Sequence, residues 1–141
     1  MNIELNEKPI QPFKILIVED DPSSIFLAET YLKAHFKVHS VTNGYDALIM
    51  IEKTKFDIVL MDINLDDPAM DGPKTMRTIR YNRKYNHIKI IAVTAASGSR
   101  EWYLKQGFDG HCLKPLFENG IIEEINKQLL KPFTHSNYYC L

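Results

Sequence analysis

The chain has 141 residues, of which 45% are hydrophobic and 25% are charged, and its formal net charge is -1. This length and composition predict one globular domain. The near-neutral charge argues against nonspecific nucleic-acid binding, which depends on a basic surface, and the apolar runs fall far short of the about 20 residues that cross a bilayer.

The predicted elements alternate between strand and helix. Residues 1–12 are polar, contain two prolines and are interpreted as a flexible lead-in. Apolar runs predict five strands, at 13–18, 36–41, 58–62, 87–93 and 107–113. Helix-start signals and helical periodicity predict five helices between and after these strands. The first three start at Pro22, Gly44 and Gly72, the fourth ends near Lys105, and the fifth covers 117–130.

This alternation predicts a parallel sheet with helices on both faces and right-handed crossovers. Four of the strands end in residues that carry chemistry: Glu19-Asp20, Asp62, Thr94 and Lys114. Because the carboxyl ends of parallel strands lie at one edge of the sheet, we expect these side chains to converge there, where open α/β sheets bind ligands.

The converging set is suited to phosphate chemistry. Three carboxylates repel one another, and Mg²⁺, which takes oxygen ligands and keeps several waters, relieves that repulsion. A carboxylate can act as a nucleophile and form an aspartyl phosphate. Lys114 and Thr94 supply a cation and a hydroxyl for the phosphoryl oxygens.

The chain resembles the response-regulator receiver domains of two-component signalling. The matching motifs are Ile15-Leu16-Ile17-Val18-Glu19-Asp20-Asp21-Pro22, Asn43-Gly44-Tyr45-Asp46-Ala47-Leu48, Asp57-Ile58-Val59-Leu60-Met61-Asp62, Met70-Asp71-Gly72, Ala92-Val93-Thr94-Ala95 and Leu113-Lys114-Pro115. They span roughly residues 13–130 in the family's order. The resemblance implies a flavodoxin-like (CheY-like) α/β three-layer sandwich, with a parallel sheet of order 2-1-3-4-5.

The resemblance also implies the site. Asp62 matches the aspartate that accepts a phosphoryl group from a phosphohistidine, with Mg²⁺ as cofactor. The implied metal site uses three carboxylates and one backbone carbonyl, from Glu19, Asp20, Asp62 and Asn64. Thr94 matches the hydroxyl that moves to meet the phosphoryl group, and Lys114 the lysine that pairs with it. His111 stands where the family commonly has a switch Tyr or Phe.

The implied function is a cytoplasmic phosphorylation switch and not an enzyme. Its partners would be a sensor histidine kinase or histidine phosphotransfer protein and a downstream effector protein, with no direct nucleic-acid contact and no membrane insertion. It would be a monomer or a phosphorylation-dependent dimer. The receiver domain is assigned to 13–131 and a tail to 132–141; Cys112 and Cys140 do not make a disulfide framework, which favours a reducing setting.

The chain departs from the family in three places. The loop after Asp62 is two residues longer than the common form and adds Asp66 and Asp67, whose charges should favour a cation and oppose an approaching phosphate. His111 replaces the aromatic and adds a titratable group. Ala96 offers no side chain that would activate a hydrolytic water.

Four other interpretations stay open at this point. Two of them keep the receiver fold: a receiver detached from a hybrid histidine kinase, and a receiver-like interaction module that never accepts phosphate. A haloacid-dehalogenase-type phosphatase would place a second Asp two residues after the nucleophile, where this chain has Asn64. A flavin carrier would need a phosphate-binding Ser/Thr/Gly loop after the first strand, where this chain has acids.

Overall fold

The computed structural model describes residues 12–96 and 98–131, which form alternating strands and helices. The strands are β1 (Lys14–Val18), β2 (Lys37–Val41), β3 (Ile58–Asp62), β4 (Lys89–Thr94) and β5 (Gly110–Leu113). The helices are α1 (Pro22–Leu32), α2 (Gly44–Lys53), α3 (Gly72–Tyr81), α4 (Arg100–Gln106) and α5 (Glu118–Leu129). Short 3₁₀ helices cover Pro68–Met70 and Arg83–Tyr85. The predicted lead-in and tail fall almost wholly outside the described residues.

The strands form one parallel sheet in the order β2-β1-β3-β4-β5. The flavodoxin-like fold and the strand order predicted from the sequence are therefore confirmed. The register pairs Val18 with Met61, and Asp62 with Val93. The ends of β1, β3 and β4 consequently lie side by side at the carboxyl edge of the sheet.

The three central strands are buried on both faces, which explains why they read as continuous apolar runs. Alternate strand residues point to opposite sides. One side, with Leu16 and Val59, packs against α2, α3 and Tyr103 of α4; the other, with Ile15 and Leu60, packs against α1 and α5. The molecule is thus a three-layer sandwich, as predicted.

Side-chain caps fix where most helices begin. Asp21, Asn43 and Asp71 accept hydrogen bonds from the backbone N–H three residues on, and open α1, α2 and α3 respectively. Proline follows in the first turn of α1 and α3. These caps confirm the predicted starts of α1, α2 and α3. They also show that Asp21 and Asp71 act as helix N-caps.

Two strands begin two or three residues later than the apolar pattern predicts. β4 starts at Lys89 instead of His87 because Ile88 N–H closes the preceding 3₁₀ turn onto the Tyr85 carbonyl at 3.1 Å. β5 starts at Gly110 instead of Gly107, because Gly107 adopts a φ of 120° and ends α4.

Charge is distributed unequally between the two edges of the sheet. Three strands begin with lysine: Lys14, Lys37 and Lys89. At the opposite edge β3 ends in Asp62, and β1 is followed by Glu19. Asp57 and Asp109 precede β3 and β5 at the same amino edge and partly balance these lysines, whereas the carboxyl edge is acidic.

Two further observations concern the setting of the chain. Among residues 12–96 and 98–131, no helix combines the length and apolarity that crossing a bilayer needs. Cys112 is a free thiol on β5, and burial raises its pKa to about 12, so that it stays protonated at neutral pH. Cys140 lies outside the described residues.

Candidate functional site

Three carboxylates meet at the carboxyl edge of the sheet. Glu19 and Asp20 follow β1, Asp62 ends the neighbouring β3, and one ligand oxygen from each lies within 4.8 Å of the others. Glu19 and Asp62 are buried, whereas Asp20 is half-buried. These three residues are called the acid cluster below. Their burial is due to their position on the central strands, because the sheet holds them below the surrounding loops.

Lys114, which follows β5, compensates part of this negative charge. Its Nζ lies 2.8 Å from Glu19 Oε1 and 3.5 Å from Asp62 Oδ1. Burial alone would lower the pKa of Lys114, but the bond to Glu19 and the charge of Asp62 outweigh it and raise that pKa. Lys114 is therefore a permanent cation that reaches two members of the acid cluster.

Glu19 responds most strongly to the crowding of charge. Burial and the neighbouring Asp62 carboxylate raise its pKa to about 7, against the lowering effect of Lys114. One ammonium group thus does not fully offset three carboxylates. A second cation at this position would remove the remaining repulsion.

The backbone of the segment after β3 lies close to Asp62. Asn64 N–H donates to Asp62 Oδ1 at 3.2 Å, while the Asn64 side chain is exposed, so its backbone faces the cluster. The start of α3 packs tightly on the end of the strand: a Cβ on Gly72 would lie 2.3 Å from the Asp62 carbonyl oxygen. Glycine is required there because any larger residue would displace the loop.

The two carboxylates of the lengthened loop are placed differently. Asp66 N–H donates to Asp20 Oδ2 at 3.0 Å, and the charge of Asp20, with a smaller contribution from Asp62, raises the pKa of Asp66. Asp67 instead caps the 3₁₀ helix by accepting from Ala69 N–H at 2.9 Å. Only Asp66 of the two is therefore shown in contact with the acid cluster, a distinction that the loop's length and composition did not reveal.

Thr94 ends β4 beside the cluster. It follows Val93, the register partner of Asp62, and is fully buried. Its Oγ1 accepts a hydrogen bond from Ala96 N–H at 3.1 Å. This bond ties the hydroxyl to the β4–α4 loop, so that a change at Thr94 would be transmitted to that loop.

His111 lies away from the acid cluster, on β5 under α4. Its ring stacks on Tyr103, with centroids 4.5 Å apart and planes inclined by 11°. Burial, reinforced by the charge of Arg100, lowers its pKa, which keeps the imidazole neutral at pH 7. Arg100 also bonds the His111 carbonyl and Glu124 of α5, at 3.3 and 2.8 Å. The sequence did not predict the stack or this link, because both depend on tertiary packing.

The acid cluster suits a hard divalent cation. Carboxylate oxygens are the ligands that Mg²⁺ takes, and Mg²⁺ is normally held by one or two carboxylates with waters completing its shell. Three such oxygens lie within 4.8 Å of one another, so that one cation can be placed among them. The donor set contains neither thiolate nor imidazole, which softer metals prefer.

The chain is similar to a sensor histidine kinase and to a second, shorter protein of bacteria. It is 33% identical over 120 residues to the sensor histidine kinase GacS of Pseudomonas protegens, covering 81% of this chain but 13% of that kinase. It is 29% identical over 119 residues to the protein PilH of Pseudomonas aeruginosa, covering 82% of this chain and 97% of PilH. Relatives thus include both a short protein and a small part of a long kinase.

Solved structures agree with this similarity. The receiver domain of sensor histidine kinase PA1611 from Pseudomonas aeruginosa, solved with a magnesium ion in its active-site cleft, superposes with a TM-score of 0.75 at 29% identity, covering 85% of this chain and 99% of that one. A response regulator from Chloroflexus aurantiacus shares the fold, with a TM-score of 0.79 at 23% identity, covering 86% and 100%. The sequence pattern of the response regulator receiver domain matches residues 15–135. The chain therefore belongs to the response regulator receiver domain family of two-component signalling.

Proposed function

We propose that this receiver domain is a phosphorylation switch in which Asp62 accepts a phosphoryl group from a phosphohistidine. The observation that carries the proposal is the acid cluster with Lys114 bonded across it, at 2.8 Å to Glu19 and 3.5 Å to Asp62. Glu19, Asp20, Asp62 and the Asn64 carbonyl would hold the metal. The bound Mg²⁺ would supply charge neutralisation for the carboxylates and the incoming phosphoryl oxygens.

Asp62 is the nucleophile of the proposed transfer. One of its carboxylate oxygens attacks phosphorus, the phosphorus–nitrogen bond breaks, and the electron pair leaves with the donor imidazole. Lys114 pairs with the phosphoryl oxygens, whose charge grows at the position that it already faces. The Thr94 hydroxyl gives up its bond from Ala96 N–H and donates to a phosphoryl oxygen.

The signal would then leave through the β4–α4 loop to the surface formed by α4, β5 and α5. Trp102, Leu113 and Phe117 are all more than half exposed there, at 51%, 53% and 72%. Exposed aromatic and aliphatic side chains are suited to a protein partner. A sensor histidine kinase or phosphotransfer protein would be the donor, and an effector protein the recipient.

Intact-mass measurement tests the proposal directly. The protein is incubated with Mg²⁺ and acetyl phosphate, and in parallel with a phosphohistidine donor. We expect an adduct of one phosphoryl group that disappears in Asp62→Ala and persists in the matched control Asp67→Ala, which removes a nearby carboxylate not shown in contact with the cluster. An unmodified mass with every donor, together with no binding of beryllofluoride, would instead identify an interaction module without phosphorylation.

A further inference from the structure

A second concave region lies at the amino edge of the sheet, away from the acid cluster. It is a cavity of about 340 Å³ between the segment that precedes β3 and the segment that precedes β4. This volume falls at the lower end of the range of small-molecule sites. The cavity is called the basic cavity below, for the residues that form its rim.

Three lysines, Lys53, Lys55 and Lys84, line the basic cavity, against a single carboxylate, Glu52. All three lysines are exposed, so their ammonium groups remain available. Lys84 Nζ lies 5.2 Å from the centre of the Tyr85 ring, which also lines the cavity, and the ring holds that cation at the rim. The excess of cations gives the cavity a positive potential although the chain as a whole is slightly acidic.

The wall of the cavity combines apolar and polar groups. Ile51, Phe56 and Ile88 close it from the core side and are themselves buried. His87 contributes a ring whose Nε2 is buried without a hydrogen-bond partner among the described residues. A buried nitrogen without a partner is uncommon in folded proteins.

From these features we infer that the basic cavity binds a small organic phosphate, with its phosphate groups at Lys53, Lys55 and Lys84 and its less polar part toward the wall. Lysine binds phosphate as a compact point charge, whereas planar carboxylates favour the forked guanidinium of arginine. The concave shape does not suit a flat membrane or duplex nucleic acid. The site needs neither Asp62 nor a metal, so it is independent of the switch function.

Titration with defined phosphates tests this site. ADP, pyrophosphate and adenosine are added separately to the full chain in metal-free buffer, with calorimetry for affinity and amide NMR for location. We expect ADP and pyrophosphate to bind and to shift the amides of Lys55, Tyr85 and His87, and adenosine not to bind. Lys53→Gln/Lys55→Gln should weaken binding about tenfold or more, because it removes two charge-assisted contacts.

Two controls make the test specific. Lys105→Gln/Lys127→Gln removes the same charge from exposed positions on α4 and α5, and Asp62→Ala removes the phosphoacceptor; both should bind ADP as the unmodified chain does. Equal weakening by the two lysine pairs, shifts spread over all lysines, or no binding of either phosphate would overturn the site. Tighter binding of a hexaglutamate peptide than of ADP would overturn it in favour of an acidic peptide.

Discussion

The raised pKa of Glu19 shows most clearly that the acid cluster lacks a second cation. Its ordinary pKa of 4.5 is raised to about 7, chiefly by burial and by Asp62. Because the pKa of Glu19 is higher in the folded chain than in the unfolded chain, the folded chain binds more protons than the unfolded chain between pH 4.5 and about 7. Glu19 therefore contributes a decline in stability as the pH rises from about 4.5 through 7 when no metal is bound, against which the lowered pKa values of His87 and His111 act.

The substitution Glu19→Gln tests this linkage. We expect it to flatten the decline of the free energy of unfolding between pH 4.5 and 7, since the amide cannot lose a proton. Urea denaturation in metal-free buffer across this range measures the effect. Glu123→Gln, at an exposed position of α5, is the control and should keep the decline; an unchanged slope in Glu19→Gln would contradict the assignment.

Asp66 and Asp67 are predicted to differ although they are adjacent. Asp66→Asn should weaken Mg²⁺ binding severalfold and speed phosphorylation by acetyl phosphate, because it removes a charge next to Asp20. Asp67→Asn removes the same charge, but asparagine still caps the 3₁₀ helix. Calorimetric titration with Mg²⁺ and rates of adduct formation at low salt measure both effects.

Asp67→Asn is the matched control for that comparison, and its effects should be clearly smaller. If the two variants behave alike at low salt, the loop acts through its overall charge and not through the proximity of the Asp66 carboxylate to Asp20. If neither differs from the unmodified chain, the lengthened loop has no electrostatic role at the site.

At the scale of the elements, α4 is the shortest α-helix among the described residues, and its attachment depends on few side chains. Tyr103 is its buried residue, 4% exposed, and packs against His111 and Phe108. The adjoining loop approaches the same ring, since a Cβ on Gly98 would lie 2.8 Å from Tyr103 Cε2. One ring therefore joins α4, β5 and the loop that leads from Thr94.

We expect Tyr103→Leu to lower the free energy of unfolding by about 2 kcal/mol, because it removes part of a buried aromatic ring and the stack on His111. It should also speed amide exchange in α4 before the rest of the sheet. Circular dichroism and hydrogen exchange measure these effects. Trp102→Leu, at the exposed neighbouring aromatic, should change stability by less than about 1 kcal/mol; comparable losses in both would refute the anchoring role of Tyr103.

Local sequence patterns predicted the strands and helices well where neighbouring residues alone determine the structure. Apolar runs located β1 and β3, and Asp21, Asn43 and Asp71 marked helix starts, because caps and buried strands depend on neighbouring residues. The start of β5 was misplaced, since a glycine with positive φ interrupts an otherwise apolar segment. The convergence of the strand ends followed from the topology, and the structure places the three carboxylates and Lys114 together.

Contacts between distant residues could not be predicted in this way. Whether His111 meets Tyr103, or whether Asp66 rather than Asp67 meets Asp20, depends on loop paths that composition does not determine. The resemblance to the family supplied the roles of Asp62, Asn64 and Thr94. Those roles stay predictions until phosphorylation is measured.

At the scale of the whole molecule, Mg²⁺ binding should stabilise the folded chain. If Mg²⁺ binds only the folded chain, a Mg²⁺ concentration of about ten times the Kd raises the free energy of unfolding by about 1.4 kcal/mol. This corresponds to a rise of a few degrees in Tm. We expect Asp20→Asn to unfold at a higher temperature than the unmodified chain without metal, because it relieves repulsion, and to gain little when Mg²⁺ is added. Calorimetric melting with and without Mg²⁺ measures both.

The control for this melting experiment is again Glu123→Gln, which should keep the full Mg²⁺-dependent rise. A rise in Asp20→Asn equal to that of the unmodified chain would show that Asp20 is not a ligand. A lower metal-free Tm in Asp20→Asn would show that the charge of Asp20 strengthens its bond from Asp66 N–H by more than the repulsion among the carboxylates costs.

The lysines that begin three strands, although partly balanced by Asp57 and Asp109, and the carboxylates at the far edge of the sheet give the molecule an electric dipole component along the strands. A charged partner exerts a torque on a dipole before contact is made. A partner that surrounds its phosphohistidine with positive potential would turn Asp62 toward itself during the encounter, whereas one with a negative rim would meet the lysines first. The pairing of this receiver with its donor would then begin as a choice of orientation, at separations of about a Debye length, roughly 8 Å in physiological salt.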